Sequence, residues 1–333
     1  MVDGSSTWIA TPNIAVIKYW GRRDAALNLP CNGSISITLD ETVKTKTTVK
    51  FDSKLEKDEL ILNGKSANAE ETARAARVLD FVRKVKGVKL KARVVSDNNF
   101  PTGAGIASSA SGFAALSCAA CDAADLNISK KELSILARLG SGSACRSILG
   151  GFVEWKAGMR KDGRDSYATQ VASASHWGEI TDVVAITDSK QKKIGSEAGM
   201  DITVKTSTLF QQRLREVPNR LARMKSAIDE RDFPELARLA MEDSESMHAS
   251  MAKSKPPIVY LNDTSRAITD AVRDLNQSEG RTVAGYTFDA GPNAHVLTLK
   301  KDEKKVAGVI KEIDGVERLL SCGAGDGPRK ANQ

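Results

Sequence analysis

The segment Pro101-Thr-Gly-Ala-Gly-Ile-Ala-Ser-Ser-Ala-Ser-Gly112 has the composition of a phosphate-binding loop. Its small residues let the backbone approach an anion closely. A helix starting within it would offer unpaired amides and the positive end of its dipole. Ser108, Ser109 and Ser111 add hydroxyl donors. The same residues would also serve as a flexible lead into a core helix. Two nucleotide-binding patterns are excluded. There is no Gly-x-x-x-x-Gly-Lys-Ser/Thr, and Ser108 stands where a dinucleotide fingerprint begun by Gly103 and Gly105 needs its third glycine. A phosphate loop with no lysine of its own must draw cations from elsewhere in the fold. Lys18, Arg22, Arg146 and the cluster Lys190, Lys192 and Lys193 are the candidates. Lys18 interrupts a strand-like apolar run, Ile14-Ala-Val-Ile17, where a buried lysine needs a partner. Arg146 is either a surface cation after a loop or an anion ligand placed by Gly and Ser neighbours. Asp289 either caps the turn at Gly291-Pro292 or is a functional acid.

These residues need elements to hold them. Val- and Thr-rich residues 43–51 predict a strand, continued by 60–63, and Asn63-Gly64 is a hairpin signal. Residues 70–85 carry apolar side chains near helical spacing, and 88–94 alternate as a half-buried strand. The glycine–serine loop then feeds an alanine-rich helix. Ser129 is an N-cap for a helix over 130–139. A second Gly/Ser-rich segment, 140–151, leads into strands at 151–156 and 183–186. Composition shifts near residue 190, and amphipathic helices are expected over 206–231, 234–252 and 265–277. Strands at 281–287 and 295–300 flank a Gly-Pro-Asn turn. A helix over 302–313 and a strand at 316–320 close the pattern. The expectation is an α+β fold with mixed or antiparallel sheets, divided near 175–195.

The 333 residues suggest two domains or one large two-lobed unit, carry a formal net charge of +7, and are 41% hydrophobic, enough to build a core. The surplus charge is spread along the chain, which suits a site for an anionic small molecule better than a nucleic-acid stripe. Only 5% of residues are aromatic and none cluster with the lysine runs, so the stacking platform of a nucleic-acid binder is lacking. No apolar run reaches the roughly 18 residues of a membrane span, and the first seven residues do not read as a secretory leader. Five scattered cysteines fit a reducing, cytoplasmic setting. Cys118 and Cys121 form a C-x-x-C, but inside the alanine-rich run they read as small packing residues. His176, His248 and His295 have no metal-ligand spacing with the cysteines.

With those segments in view, the chain resembles the GHMP-kinase superfamily at Pro-Thr-Gly-Ala-Gly-Ile-Ala-Ser-Ser, and within it the diphosphomevalonate decarboxylases. Three further stretches carry that resemblance: Asn13-Ile-Ala-Val-Ile-Lys-Tyr-Trp-Gly-Arg-Arg-Asp24, Gly140-Ser-Gly-Ser-Ala-Cys-Arg-Ser147 and Tyr286-Thr-Phe-Asp-Ala-Gly-Pro-Asn-Ala294. The resemblance runs in order over residues 9–328. It implies a two-lobed fold with an N-terminal lobe like the second domain of ribosomal protein S5 and a C-terminal ferredoxin-like α/β sandwich. The active site would lie in the cleft between lobes of residues 1–185 and 186–333. The implied activity is ATP- and Mg²⁺-dependent decarboxylation of diphosphomevalonate to isopentenyl diphosphate, in isoprenoid and sterol biosynthesis. ATP phosphorylates the tertiary 3-hydroxyl, and phosphate and CO₂ then leave.

By the same resemblance Asp289 is the catalytic acid group at the 3-hydroxyl, Arg146 grips the substrate carboxylate, and Lys18 neutralises charge between them. Tyr19, Arg22, Ser141, Ser143 and Ser196 match diphosphate contacts, although the family commonly has lysine at the position of Arg22. Ser109 matches the serine that orients the γ-phosphate. Pro101, Gly103, Gly105, Ala107 and Ser108 form the nucleotide loop with it, and Asn98, Lys190 and Lys192 fall near the nucleotide. Trp20 reads as core support. No protein ligand for Mg²⁺ is identified. A homodimer is implied, with no nucleic-acid or membrane partner. Phosphomevalonate decarboxylation or a mevalonate 3-kinase activity on the same fold are the nearest alternatives, and a non-catalytic nucleic-acid binder is the remote one.

Overall fold

A computed structural model describes residues 4–100, 108–187 and 194–332 of the chain. The N-terminal half opens with β1 (Ser5–Ala10), β2 (Asn13–Ile17), β3 (Arg22–Asp24), β4 (Leu29–Pro30) and β5 (Ser34–Thr38). Then come β6 (Thr45–Asp52), β7 (Glu59–Leu62), β8 (Lys65–Ser66), α1 (Ala69–Lys86) and β9 (Lys91–Asn98). Two helices follow, α2 (Ser108–Ala123) and α3 (Lys130–Gly140), then a 3-10 segment (Gly142–Ile148), β10 (Phe152–Trp155) and β11 (Ala168–Ala172). The C-terminal half contains β12 (Ile180–Ile186), α4 (Ser196–Thr206), α5 (Phe210–Glu230), α6 (Phe233–Ala252) and α7 (Asp263–Ser278). It closes with β13 (Ala284–Phe288), β14 (Ala294–Leu299), α8 (Lys300–Lys311), β15 (Arg318–Gly323) and β16 (Arg329–Lys330).

Local chemistry accounts for most of these boundaries. Asn63 and Gly64 both adopt positive φ, as the two-residue β7–β8 turn requires. Asn68 with Glu71 and Ser129 with Glu132 form reciprocal capping boxes that start α1 and α3. Gly87, in the left-handed region, ends α1 and lets the Val88 amide bond back to Arg83. That local closure is why β9 begins at Lys91 and not at Val88 as the alternation predicts. The sequence pattern also missed α4, which contains Gly199 and the β-branched run Ile202-Thr-Val. Tertiary packing makes it helical. Gly199 faces Trp20 and Tyr260, where a Cβ would come within 2.7 Å of the tyrosine oxygen.

Strands in the first sheet run in the order β16-β1-β6-β9-β7-β8, and the second is β11-β10-β5-β2. The third, β13-β14-β12-β15, is wholly antiparallel. Its central strand β12 is buried along its whole length. Val183 and Ala185 pack with Ile268 and Val272 of α7 and Val306 and Ile310 of α8, while Val184 and Ile186 join Val217 of α5 and Leu236 of α6. The strand therefore pairs entirely with residues beyond 186, and a division at 185/186 cuts through its end. The chain also returns. Leu39 bridges Ala324, Asp40 accepts the Gly323 amide at 2.7 Å, and β16 pairs with β1. One core cluster joins Ile14, Ile35 and Ile37 of the second sheet to Val217, Met224, Leu236 and Leu239 of α5 and α6. At roughly 1.5–3 kcal/mol per buried large aliphatic side chain, this shared core fixes how the two halves face each other.

Candidate active site

Lys18, Asp289 and Arg146 line one cavity of about 530 Å³ between the halves. Lys18 follows β2, Asp289 follows β13, and Arg146 sits in the 3-10 segment. The Lys18 ammonium donates to Asp289 Oδ1 at 2.7 Å. The lysine side chain is 2% exposed and that of Asp289 is 31% exposed. Burial lowers the Lys18 pKa, while Asp289 and Asp243 oppose the shift. Asp289 is thus a solvent-reached carboxylate held by a buried cation.

Arg146 is buried, and its guanidinium is held by neutral acceptors. Nε donates to Asn13 Oδ1 at 3.0 Å and Ser36 Oγ at 2.9 Å, and Nη1 to Ser34 Oγ at 2.6 Å. Its carbon lies 5.9 Å from the Trp155 ring centroid. Arg146 makes no ion pair with the described residues. Desolvation lowers its pKa, and the more distant charge of Asp289, which makes no ion pair with it, only partly opposes the shift. A buried cation satisfied in hydrogen bonds but not in charge is a receptor for an anion. The surface alternative for Arg146 is thereby excluded.

Tyr19, Ser141, Ser143, Ser109 and Ser196 line the same cavity, with Ser108. Ser141 Oγ lies 3.2 Å from Ser109 Oγ and 3.5 Å from Ser143 Oγ. The Tyr19 hydroxyl is buried and has no hydrogen-bond partner among the described residues. Gly142 packs against its ring, and a Cβ there would lie 2.8 Å from it. Ser196 opens α4, whose first amides have no side-chain cap. Arg22 is placed differently. Its guanidinium is spent on Glu197 at 2.7 Å, Asp201 at 2.6 Å and Asn28 at 3.2 Å, and it is not part of the cavity wall. Trp20 both borders the cavity and packs among Met200, Phe210 and Met247.

A second cavity of about 260 Å³ meets the first at Arg74, Ser108 and Ser109. Leu60, Leu62, Val94, Phe113 and Leu116 give it apolar walls, with Asn98, Asn63 and Ser96 at its polar edge. Asn98 Oδ1 accepts from Thr45 Oγ1 at 2.6 Å. An apolar slot with a few polar groups, opening at the N-terminus of α2 onto an anion cavity, fits a nucleotide base with its phosphates directed to Ser108 and Ser109. Pro101, Gly103, Gly105, Ala107, Lys190 and Lys192 lie outside the described residues. Cys118 and Cys121 are buried in α2, and desolvation raises both thiols, Cys121 to about 12, which suits packing residues. No helix among the described residues is long and apolar enough to cross a membrane.

Sequence reasoning missed Arg74 and Glu197. Arg74, on α1, donates to the Gly140 carbonyl at 3.1 Å, lies over the Phe113 ring and pairs with Glu197 at 3.4 Å. Its helical spacing from Glu70, another wall residue, was the available signal, but nothing local tells which face of α1 meets the cleft.

Two family descriptions match the chain. "Diphosphomevalonate decarboxylase-like N-terminal domain" covers residues 10–168, and "Mevalonate 5-diphosphate decarboxylase C-terminal domain" covers 182–330. Diphosphomevalonate decarboxylase mvd1 of Aspergillus fumigatus is 48% identical over 325 residues, spanning 93% of this chain and 80% of the relative. The crystal structure of mevalonate diphosphate decarboxylase from Staphylococcus aureus superposes with a TM-score of 0.93 at 36% identity, over 99% of both chains. A structure described as MDDEF in complex with MVAPP, AMPPCP and magnesium gives 0.92 at 36%, over 100% of both. The two-lobed α+β architecture expected from the sequence is the one these structures share.

Proposed function

This chain belongs to the diphosphomevalonate decarboxylase family, and we propose that its cleft carries out the family's reaction with Lys18, Arg146 and Asp289 around the reacting carbon. The activity is ATP-dependent decarboxylation of diphosphomevalonate to isopentenyl diphosphate, with ADP, phosphate and CO₂ as the other products. One observation carries the assignment of roles. A carboxylate, the lysine bonded to it and an arginine with no ion pair among the described residues share one cavity, beside the N-terminus of α2.

Asp289 accepts the hydrogen bond of the substrate's 3-hydroxyl and takes its proton as the γ-phosphate transfers. Lys18 donates to that carboxylate at 2.7 Å and aims it. Its contribution is therefore positioning. Arg146 holds the substrate carboxylate through paired N–H donors, fixing the C–C bond so that its electrons move into the alkene as phosphate departs from C3. Tyr19, Ser141, Ser143 and Ser196 are assigned to the diphosphate, and Asn98, Ser108 and Ser109 to the nucleotide. Arg22 is assigned to the diphosphate only once Glu197 or Asp201 releases it. Mg²⁺ enters with ATP, coordinated chiefly by phosphate oxygens. Ser108 and Ser109, which line both cavities, are the described residues assigned to face those phosphates.

Pairing of the whole of β12 with β14 and β15 supports a lobe division ahead of Ile180. A cytoplasmic homodimer is the expected state, which light scattering of the purified chain would check. The central test is product analysis after incubation with ATP, Mg²⁺ and either diphosphomevalonate or phosphomevalonate. Isopentenyl diphosphate and CO₂ from the diphosphate are expected. Phosphorylated substrate without CO₂, or preference for the monophosphate, would overturn the reading.

A further inference from the structure

An ion pair fully enclosed in the C-terminal half holds the main chain of Lys18. Arg213 on α5 and Asp243 on α6 have side chains 1% and 0% exposed. Arg213 Nη1 donates to Asp243 Oδ1 and Nη2 to Oδ2, each at 2.9 Å. The pair then reaches across to β2. Asp243 Oδ2 accepts the Lys18 amide at 2.6 Å, and Arg213 Nη2 donates to the Lys18 carbonyl at 3.2 Å. Asn32 Nδ2 supplies a second donor to that carbonyl at 2.9 Å. Arg220, also on α5, backs the same carboxylate at 3.4 Å.

Two physical facts make this more than core packing. The β2–β5 register breaks between Ala15 and Ile17, so Lys18 lies beyond the regular ladder and its buried amide and carbonyl need other partners. The desolvation of an enclosed ion pair offsets much of its own attraction, so an apolar contact would join α5 to α6 as well. What an apolar contact cannot do is hold one residue's backbone from both its N–H and its C=O, and the residue so held carries the side chain that meets Asp289.

We propose that Asp243 and Arg213 are a positioning pair for the reaction, fixing the Lys18 backbone so that its ammonium reaches Asp289 and the substrate. The inference rests on the reading that Lys18 and Asp289 act on the substrate. Asp243 also lends negative charge to the surroundings of the ammonium. The charged and titratable groups facing Lys18 are Asp289 after β13, Asp243 and His248 on α6, Arg213 on α5 and Arg146 in the 3-10 segment. Replacing Asp243 by a neutral group leaves Arg213 and Arg146 cationic, His248 neutral because burial pushes its pKa down to about 4, and only Asp289 anionic. The Lys18 proton is then lost at lower pH.

The test is steady-state kinetics of the full chain with diphosphomevalonate and ATP–Mg²⁺ across pH, with Lys18→Met as reference. Asp243→Asn is expected to lower kcat on the order of 100-fold, the scale of a small misplacement at a reacting centre, with KM for ATP nearly unchanged. Its alkaline limb of kcat should move to lower pH. Arg213→Lys keeps the charge but loses the two-pronged grip. It should lower kcat less and leave that limb where it is. If Asp243→Asn does not fold, Arg213→Lys decides alone. Wild-type kcat per folded molecule in Arg213→Lys, or wild-type kcat with an unmoved alkaline limb in Asp243→Asn, in a background where Lys18→Met has lost turnover, would overturn the proposal. Full turnover by Lys18→Met would instead remove Lys18 from the mechanism.

Discussion

Lys18 and Arg146 are both buried cations, yet they are balanced differently. Lys18 has Asp289 at 2.7 Å, whereas among the described residues Arg146 bonds an amide oxygen and two hydroxyls. That difference supports the proposed roles, with Lys18 orienting Asp289 and Arg146 receiving the substrate's charge. Asp289→Asn is expected to stay folded and bind ATP with turnover down by orders of magnitude; near-normal turnover would take Asp289 out of the mechanism. Arg146→Lys keeps a charge but cannot span Asn13, Ser34 and Ser36 while presenting paired donors. It should lose kcat well beyond a conservative swap, and unchanged kinetics would assign the carboxylate to another group. Burial lowers the Lys18 pKa, so its charge is lost as pH rises through a value below the ordinary lysine range. The kcat profile should fall on that alkaline side.

Among the elements, α4 is the one whose placement matters most to ligand binding. Its Glu197 neutralises Arg22 and Arg74, two arginines at or behind the cavity wall. In the proposed binding mode an incoming diphosphate competes with that carboxylate. Glu197→Gln is therefore expected to lower the KM for diphosphomevalonate severalfold; a raised KM would show that Glu197 organises the site and does not compete for it. Caps, by contrast, act locally. Ser129→Ala removes the side-chain half of the α3 box and should cost about 1 kcal/mol of stability, read from denaturant unfolding, with KM unchanged.

Over the whole molecule, the two halves share a hydrophobic core and the chain crosses back to close the first sheet. Arg329, on β16, bonds Glu41 at 2.5 and 2.9 Å and, with Lys44, holds the Glu41 pKa at about 2. A carboxylate whose pKa is depressed on folding contributes stability above its unfolded value near 4.5, and loses it as pH falls through about 2. The side chains are 48% and 40% exposed, so solvent screening limits the contribution to a fraction of about 1 kcal/mol. Glu41→Gln should accordingly flatten the acid end of the stability–pH curve slightly and leave activity at neutral pH intact. A drop in kcat at neutral pH would mean that this closure also shapes the cleft.

The sequence by itself determined the elements whose signals are local: the Asn63-Gly64 turn, the N-cap at Ser129, the buried helix around Cys118 and Cys121, and the long amphipathic helices α5, α6 and α7. It also supplied the chemistry, because Lys18, Arg146 and Asp289 are unusual in their immediate contexts and sit in motifs that resemble one family. Only the tertiary structure decided what those residues face. Helix α4 forms because Gly199 and Met200 find Trp20 and Tyr260, a contact that propensity does not encode. Arg22 turns to Glu197 and Asp201, 175 and 179 residues away, away from the cavity wall. Arg74 enters the site because of how α1 packs. Arg213 and Asp243 meet Lys18 across a gap of 195 and 225 residues. The physical reason is common to all of these: short-range backbone preferences are written in neighbouring residues, whereas the balance of a buried charge is set by whichever distant segment the closing core brings against it.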